Sequence, residues 1–107
     1  MAQFDVHATL GRNTAGTPYV VVVQSARYDR RPTRVVIPLL TLPTGNAGDP
    51  DLMPRFHIEG RTVFLNPLRI LTVPTTALGG KVASLTDDLA STAIIRAIDE
   101  VISRAYG

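Results

Sequence analysis

Cysteine is absent from the 107 residues, and lysine occurs once, at Lys81. Without thiols there is no disulfide staple, no thiolate nucleophile and no Cys-ligated zinc or iron–sulfur site. No stretch approaches the roughly 18 apolar residues of a membrane-spanning helix. The opening residues, from Met1 to His7, carry an acid where a signal peptide carries bases. A cytoplasmic protein with no membrane partner is therefore expected. Also missing are a Gly-rich phosphate loop followed by Lys and Ser/Thr, a Gly-x-Ser-x-Gly elbow and a His-Glu-x-x-His pair. Their absence leaves the common nucleotide-binding, hydrolase and zinc-protease chemistries without support.

What is present is apolar: 45% of the residues are hydrophobic and 19% charged, with a mean hydropathy of +0.15. A domain near 100 residues buries only about two-thirds of the surface its unfolded chain exposes. We expect one domain over residues 1–107, whose surplus apolar surface meets a partner or a second copy. The net charge of +2 is too small to argue for nucleic acid. Its distribution is more informative, because Arg27, Arg30, Arg31 and Arg34 crowd into eight residues. Such a cluster suits phosphates or carboxylates, with a solvated loop as the plainer alternative.

Residues 3–9 alternate, with Phe4, Val6 and Ala8 on one face and Gln3, Asp5, His7 and Thr9 on the other, the pattern of a half-buried strand. Gly11 to Pro18 reads as a hairpin loop, and Tyr19 to Val23 as a central strand covered on both faces. Arg34 to Leu40 is a further strand in which Pro38 should mark an edge or a bulge. Thr41 to Pro54 is a long loop. Arg55 to Glu59 and Arg61 to Asn66 are strands meeting in a tight hairpin at Gly60. Pro67 to Pro74 holds either a strand or an irregular connection, and Gly79-Gly80 closes a turn.

The period then changes. Ser84 or Thr86 caps a helix that opens with Asp87 and Asp88, acids suited to its dipole. Leu89, Ile94, Ile95, Ile98, Val101, Ile102 and Ala105 recur at helical steps, with Arg96/Glu100 and Glu100/Arg104 spaced for i,i+4 pairs. Because Ile94 and Ile98 point about 100° away from Ile95 and Ile102, one side of the stripe covers the sheet and the other is left for a neighbour. Short antiparallel strands followed by one terminal helix make an α+β layout.

Reactive candidates are few. His7 and His57 are suited to proton transfer or metal binding, but lie 50 residues apart with no evident carboxylate partner. Asp49 and Asp51 lack the remaining oxygen ligands of a calcium loop. The helix delivers Tyr106 and Gly107, an aromatic that either lids the core or projects to stack on a partner's arginine.

Several segments, taken in order, resemble the CcdB toxin family of bacterial toxin–antitoxin modules. They are Gln3-Phe4, Val23-Gln24-Ser25, Arg34-Val35-Val36-Ile37-Pro38-Leu39, Val73-Pro74 followed by Gly79, then Val82-Ala83, Leu85 and Ala97-Ile98-Asp99. The resemblance implies a homodimer of an SH3-like α+β barrel, with a main antiparallel sheet, a small three-stranded sheet and a C-terminal helix. It implies a non-enzymatic toxin that binds the A subunit of DNA gyrase and traps cleaved DNA. A CcdA-like antitoxin with a disordered tail would silence it. No cofactor, metal, membrane or direct sequence-specific nucleic-acid binding is implied.

Carried over position by position, the gyrase-facing residues are Gln3, Phe4, His7, Ser25, Arg27 and Asp99. His7 and Arg27 stand where other members have a tyrosine and an aliphatic residue, and Asp99 where asparagine is typical. The family's aromatic-Gly-Ile tail aligns its ring with Ser103. Tyr106-Gly107 then reads as a shifted tail, about 300° further round a continuing helix. The resemblance assigns the antitoxin to the loops that hold Arg12, Asn13, Asn46 and Asp49, and to Arg30 and Arg31. Surplus apolar area would lie at a two-fold interface of sheet edge and helix start. Two alternatives share the fold: a metal-independent endoribonuclease of the MazF/Kid type, using the histidines and arginines, and a degenerate homologue that binds antitoxin without poisoning gyrase.

Overall fold

The structure, a computed structural model, describes residues 1–10, 16–41 and 53–103. Seven strands and a helix follow one another as β1 (Asp5–Thr9), β2 (Tyr19–Val22), β3 (Thr33–Leu40), β4 (Arg55–Ile58), β5 (Arg61–Leu65), β6 (Leu71–Pro74), β7 (Leu78–Ser84) and α1 (Asp88–Ile98). All ladders are antiparallel. The strands join in the order β4-β5-β3-β2-β1-β7, with β6 beside β3. The sheet is curled into a half-barrel. The described strands form one seven-stranded sheet, and the expected small three-stranded sheet is not seen as a separate sheet among them.

The β-branched run of β2 is buried along its whole length between β1 and β3, as its composition predicts. β3 is long enough to serve two partners on its other side: β6 along Thr33–Val36, and β5 at Leu39 and Leu40. Pro38 sits between them. Antiparallel ladders alternate their hydrogen-bonding direction, and Val23 N–H donates to Val35 O at 3.0 Å. Counting from that pair, Pro38 turns its backbone away from β2. Its carbonyl accepts from Asn66 N–H at 3.1 Å on that side. The expected edge or bulge is thus a central strand in which proline's missing N–H falls where β6 hands over to β5.

Odd-numbered residues of β2 and β3 face α1. Val21, Ile37 and Leu39 join Val6, Ile58, Val63 and Leu65 beneath Ala90, Ile94 and Ala97. Full burial of a side chain such as Ile94 is worth about 2 kcal/mol. Even-numbered Val20, Val22 and Val36 form a second cluster with Leu78 on the opposite face.

The β4–β5 hairpin closes through Glu59 at φ 51° and Gly60 at φ 77°. Two left-handed residues make the turn whose twist suits a hairpin. Strain at the non-glycine residue is offset by a bond from Tyr19 Oη–H to Glu59 Oε1 at 2.6 Å. That acceptor, then burial, hold the Tyr19 phenol above its ordinary pKa of 10.0.

Three expectations are corrected. Asp5 and His7 are buried rather than facing water, with partners from the neighbouring strand β7: Ser84 and Lys81 at Asp5, and Gly79 O at His7. Gly79 and Gly80 lie within β7 instead of closing a turn. The β1–β7 register shifts twice, between Val6 and His7 and between His7 and Thr9, and glycines accommodate such bulges. Finally, the helix cap is Asp87, whose carboxylate accepts from Ala90 N–H at 3.2 Å. Ser84 is still in β7, with its hydroxyl committed to Asp5.

Candidate functional site

The N-terminal corner is built on backbone. Phe4 adopts φ 69°. Its N–H reaches Val22 O at 2.6 Å while its carbonyl accepts from Leu85 N–H at 2.8 Å, tying β2 to the segment that enters α1. Gln3 Nε2 donates to Val23 O at 3.2 Å. Just beyond, Ser25 caps a 3-10 turn over Ala26–Tyr28, its Oγ accepting from Arg27 N–H at 3.3 Å. Gln24 ties this turn to β3, with Oε1 accepting from Val35 N–H and Nε2 donating to Tyr28 O and Thr33 O. Gln3, Phe4, Ser25 and Arg27 are thereby brought to one corner.

The arginine cluster divides. Arg34 is buried, and its guanidinium donates to the carbonyls of Met1, Asp29, Arg31 and Thr33. It is a clamp on the chain and not a phosphate or carboxylate ligand. Arg27, Arg30 and Arg31 are exposed, and the Arg27 guanidinium lies 6.0 Å from the centre of the half-exposed Tyr28 ring. Tyr28 was not singled out from the sequence, although an aromatic within a basic run is the signal that could have found it.

His7 does not join the corner surface. It is buried, its Nδ1 lies 2.9 Å from Gly79 O, and its Nε2 is enclosed with no partner. Beside it on β1, Asp5 accepts from Ala2 N–H and from Ser84 Oγ–H, both at 2.9 Å, with Lys81 Nζ at 3.4 Å. Burial alone would raise the Asp5 pKa. The Ala2 and Ser84 hydrogen bonds and Lys81 outweigh it and hold the carboxyl below 3.8.

His57 is exposed on β4, its Nδ1 3.4 Å from Thr62 Oγ1. Strands β5, β3 and β2 separate it from His7 on β1, which at roughly 4.8 Å per ladder step is on the order of 15–20 Å across a curled sheet. The two histidines therefore form no acid–base pair. Among the described residues, no group of three His, Asp or Glu side chains is placed to hold a metal ion, and no helix is long and apolar enough to cross a membrane.

Asp99 closes α1, its N–H donating to Ile95 O and Arg96 O, and opens a π-turn over Asp99–Ser103. This change of winding removes the basis for projecting the tail as a continuing α-helix, since the angular step is no longer 100°. Arg12, Asn13, Asn46, Asp49, Asp51, Tyr106 and Gly107 lie outside the described residues, as does the side chain of Ser103.

Two concave surfaces were missed by sequence reasoning. A groove of about 360 Å³ runs between β4 and the start of α1, with Arg55, Phe56 and His57 on one wall and Leu85, Leu89 and Ala93 on the other. On the opposite sheet face, a cavity of about 210 Å³ is lined by Leu10, Val20, Val36, Leu71, Val73 and Leu78. Neither has a local sequence signal, because each joins residues distant in the chain.

The CcdB protein family matches residues 3–103, nearly the whole chain. The chain belongs to the CcdB family. That family membership supports a toxin of a toxin–antitoxin system. No curated protein matches the sequence. Among solved structures, an endoribonuclease in complex with its cognate antitoxin from a Mycobacterial species is similar in fold, with a TM-score of 0.73 and 14% identity. The match covers 100% of this chain and 99% of that one. At that identity the likeness speaks for the α+β fold alone.

Proposed function

We propose that this CcdB-family chain is a gyrase poison: a non-enzymatic, cytoplasmic toxin that binds the DNA gyrase A subunit and stabilises its complex with cleaved DNA. The family match over residues 3–103 carries the reading. The corner supports it, with half-buried Gln3 and Phe4 held beside exposed Ser25 and Arg27 and with Arg27 set over Tyr28. Asp99, Ser103, Tyr106 and Gly107 complete the proposed gyrase surface. His7 is left out of it because a buried ring offers a partner no contact. Poisoning of this kind is differential binding, tighter to the cleaved state than to the resealed one.

An antitoxin is the proposed silencing partner, meeting Arg30 and Arg31 together with Arg12, Asn13, Asn46 and Asp49. The chain would act as a homodimer, with its half-barrel read as SH3-like. The endoribonuclease alternative draws on the fold neighbour. The separation of His7 from His57 weighs against it. Incubating purified protein with gyrase, plasmid DNA and ATP should accumulate cleaved DNA, and deleting Tyr106 and Gly107 should abolish growth arrest with the fold intact. Cleavage of added RNA without any cleaved DNA would replace this reading with the ribonuclease.

A further inference from the structure

β4 ends the sheet path, and among the described residues no strand pairs with its outer side. Pro54 O accepts from Leu65 N–H at 3.0 Å, and β4 pairs with β5 in the same register. By the alternation of antiparallel bonding, Phe56 and Ile58 bond inward, whereas Arg55 and His57 turn their backbone N–H and C=O outward. Side chains alternate as well: Ile58 is buried and Phe56 packs on the core beneath α1, while Arg55 and His57 are exposed on the other face. Along the helix side of this edge, Leu89 is 86% exposed and forms the far wall of the groove with Ala93. A ready backbone edge is thus flanked by the exposed side chains of Arg55 and His57 and by a trough that both residues border, whose apolar wall is Phe56, Leu89 and Ala93.

The geometry points to this edge as the docking strip for an extended segment of the antitoxin that alternates acidic and apolar residues and adds to the sheet as one more strand. The inference rests on the toxin–antitoxin reading above and gives it a second, separate contact region. An added strand places successive side chains on opposite faces. Its acidic positions would lie across from Arg55 and His57, and its apolar positions against Phe56, Leu89 and Ala93. Asp87 also borders the groove, one carboxylate oxygen accepting from the Ala90 N–H that it caps, and an apolar position of the added strand would face it.

Charge complementarity decides against a second copy here. Pairing β4 with itself through its outward-bonding residues sets Arg55 across from His57 of the other copy and Phe56 across from Phe56, and β4 contains no acid to complement the arginine. Charged residues on an edge strand are a common defence against self-pairing, and Arg55 is one. The proposed strip thus assigns the β4 edge beside the helix start to the antitoxin rather than to a second copy.

The test uses the whole chain and a fluorescein-labelled synthetic peptide in which aspartate alternates with valine and leucine. Saturable binding is expected by anisotropy, with slowed amide exchange at Arg55 and His57. R55E and L89D should each weaken binding by about tenfold or more, and R55K should retain most of it. Circular dichroism confirms that the variants are folded. Three results overturn the proposal: no binding, equal binding of a block-scrambled or lysine-for-aspartate peptide, or protection that avoids Arg55 and His57. Co-expression with the adjacent antitoxin gene separates the two readings. Equal rescue of growth for the native and R55E chains keeps the antitoxin reading and removes this strip. Failure to rescue the native chain, with peptide protection at Arg55 and His57, keeps the strip and removes the antitoxin.

Discussion

A carboxylate inside a small domain needs partners, and Asp5 has them in the Ala2 amide, the Ser84 hydroxyl and the Lys81 ammonium. Because its folded pKa lies below the ordinary 3.8, its contribution to stability is fully present above that value. It is lost as pH falls through the lower, folded pKa. Urea unfolding of the native chain and of Asp5→Asn across a pH series should show a constant gap above about pH 5. The gap should close only below the ordinary aspartate range. A gap that closes near neutral pH would show that the carboxylate is not the group responsible. The sequence showed an acid on a strand but not its burial, since the covering strand β7 is more than 70 residues away. Arg34 was hidden in the same way. Its position in a basic run suggested a ligand-binding group, whereas its four acceptors are carbonyls that only folding assembles.

At the scale of elements, local chemistry was legible wherever it sufficed. The hairpin at Gly60, the buried β2 strand and the helical period of α1 follow from turn residues, β-branching and spacing. The failures are places where tertiary pairing overrides a local signal. A Gly-Gly pair usually punctuates, yet here it runs within a strand because Ala8 of β1 comes so close. A Cβ on Gly79 would stand 2.7 Å from Ala8 O, while one on Gly80 would meet nothing within 4 Å. Gly79→Ala should therefore destabilise the chain by about 1–3 kcal/mol, as overpacking against backbone does. Gly80→Ala should stay within roughly 0.5 kcal/mol of the native chain. Thermal unfolding of the two variants checks this. Equal midpoints would mean that β1 and β7 are further apart than the bulged register implies.

The described residues form one sheet with two apolar faces, and one α-helix among them covers the sheet. α1 closes the face that carries Val21 and Ile37. The opposite face keeps its cavity, with Leu71 exposed at the rim, and α1 with the π-turn that follows it leaves Ile95 and Ile102 more than half exposed. The apolar surplus counted in the composition is thus divided between the back of the sheet and the outer side of the helix. The proposed homodimer needs one of these surfaces, and the helix stripe favours the second. Sedimentation at micromolar concentration should give a dimer for the native chain and a monomer for the Ile95→Asp/Ile102→Asp double variant. Both positions are exposed in a single copy, so losing the dimer should leave the fold's circular dichroism unchanged. If Leu71→Asp separates the copies and the helix variant does not, the two-fold axis passes through the back of the sheet. The outward side of α1 would then be free, beside Asp99, to take part in binding gyrase.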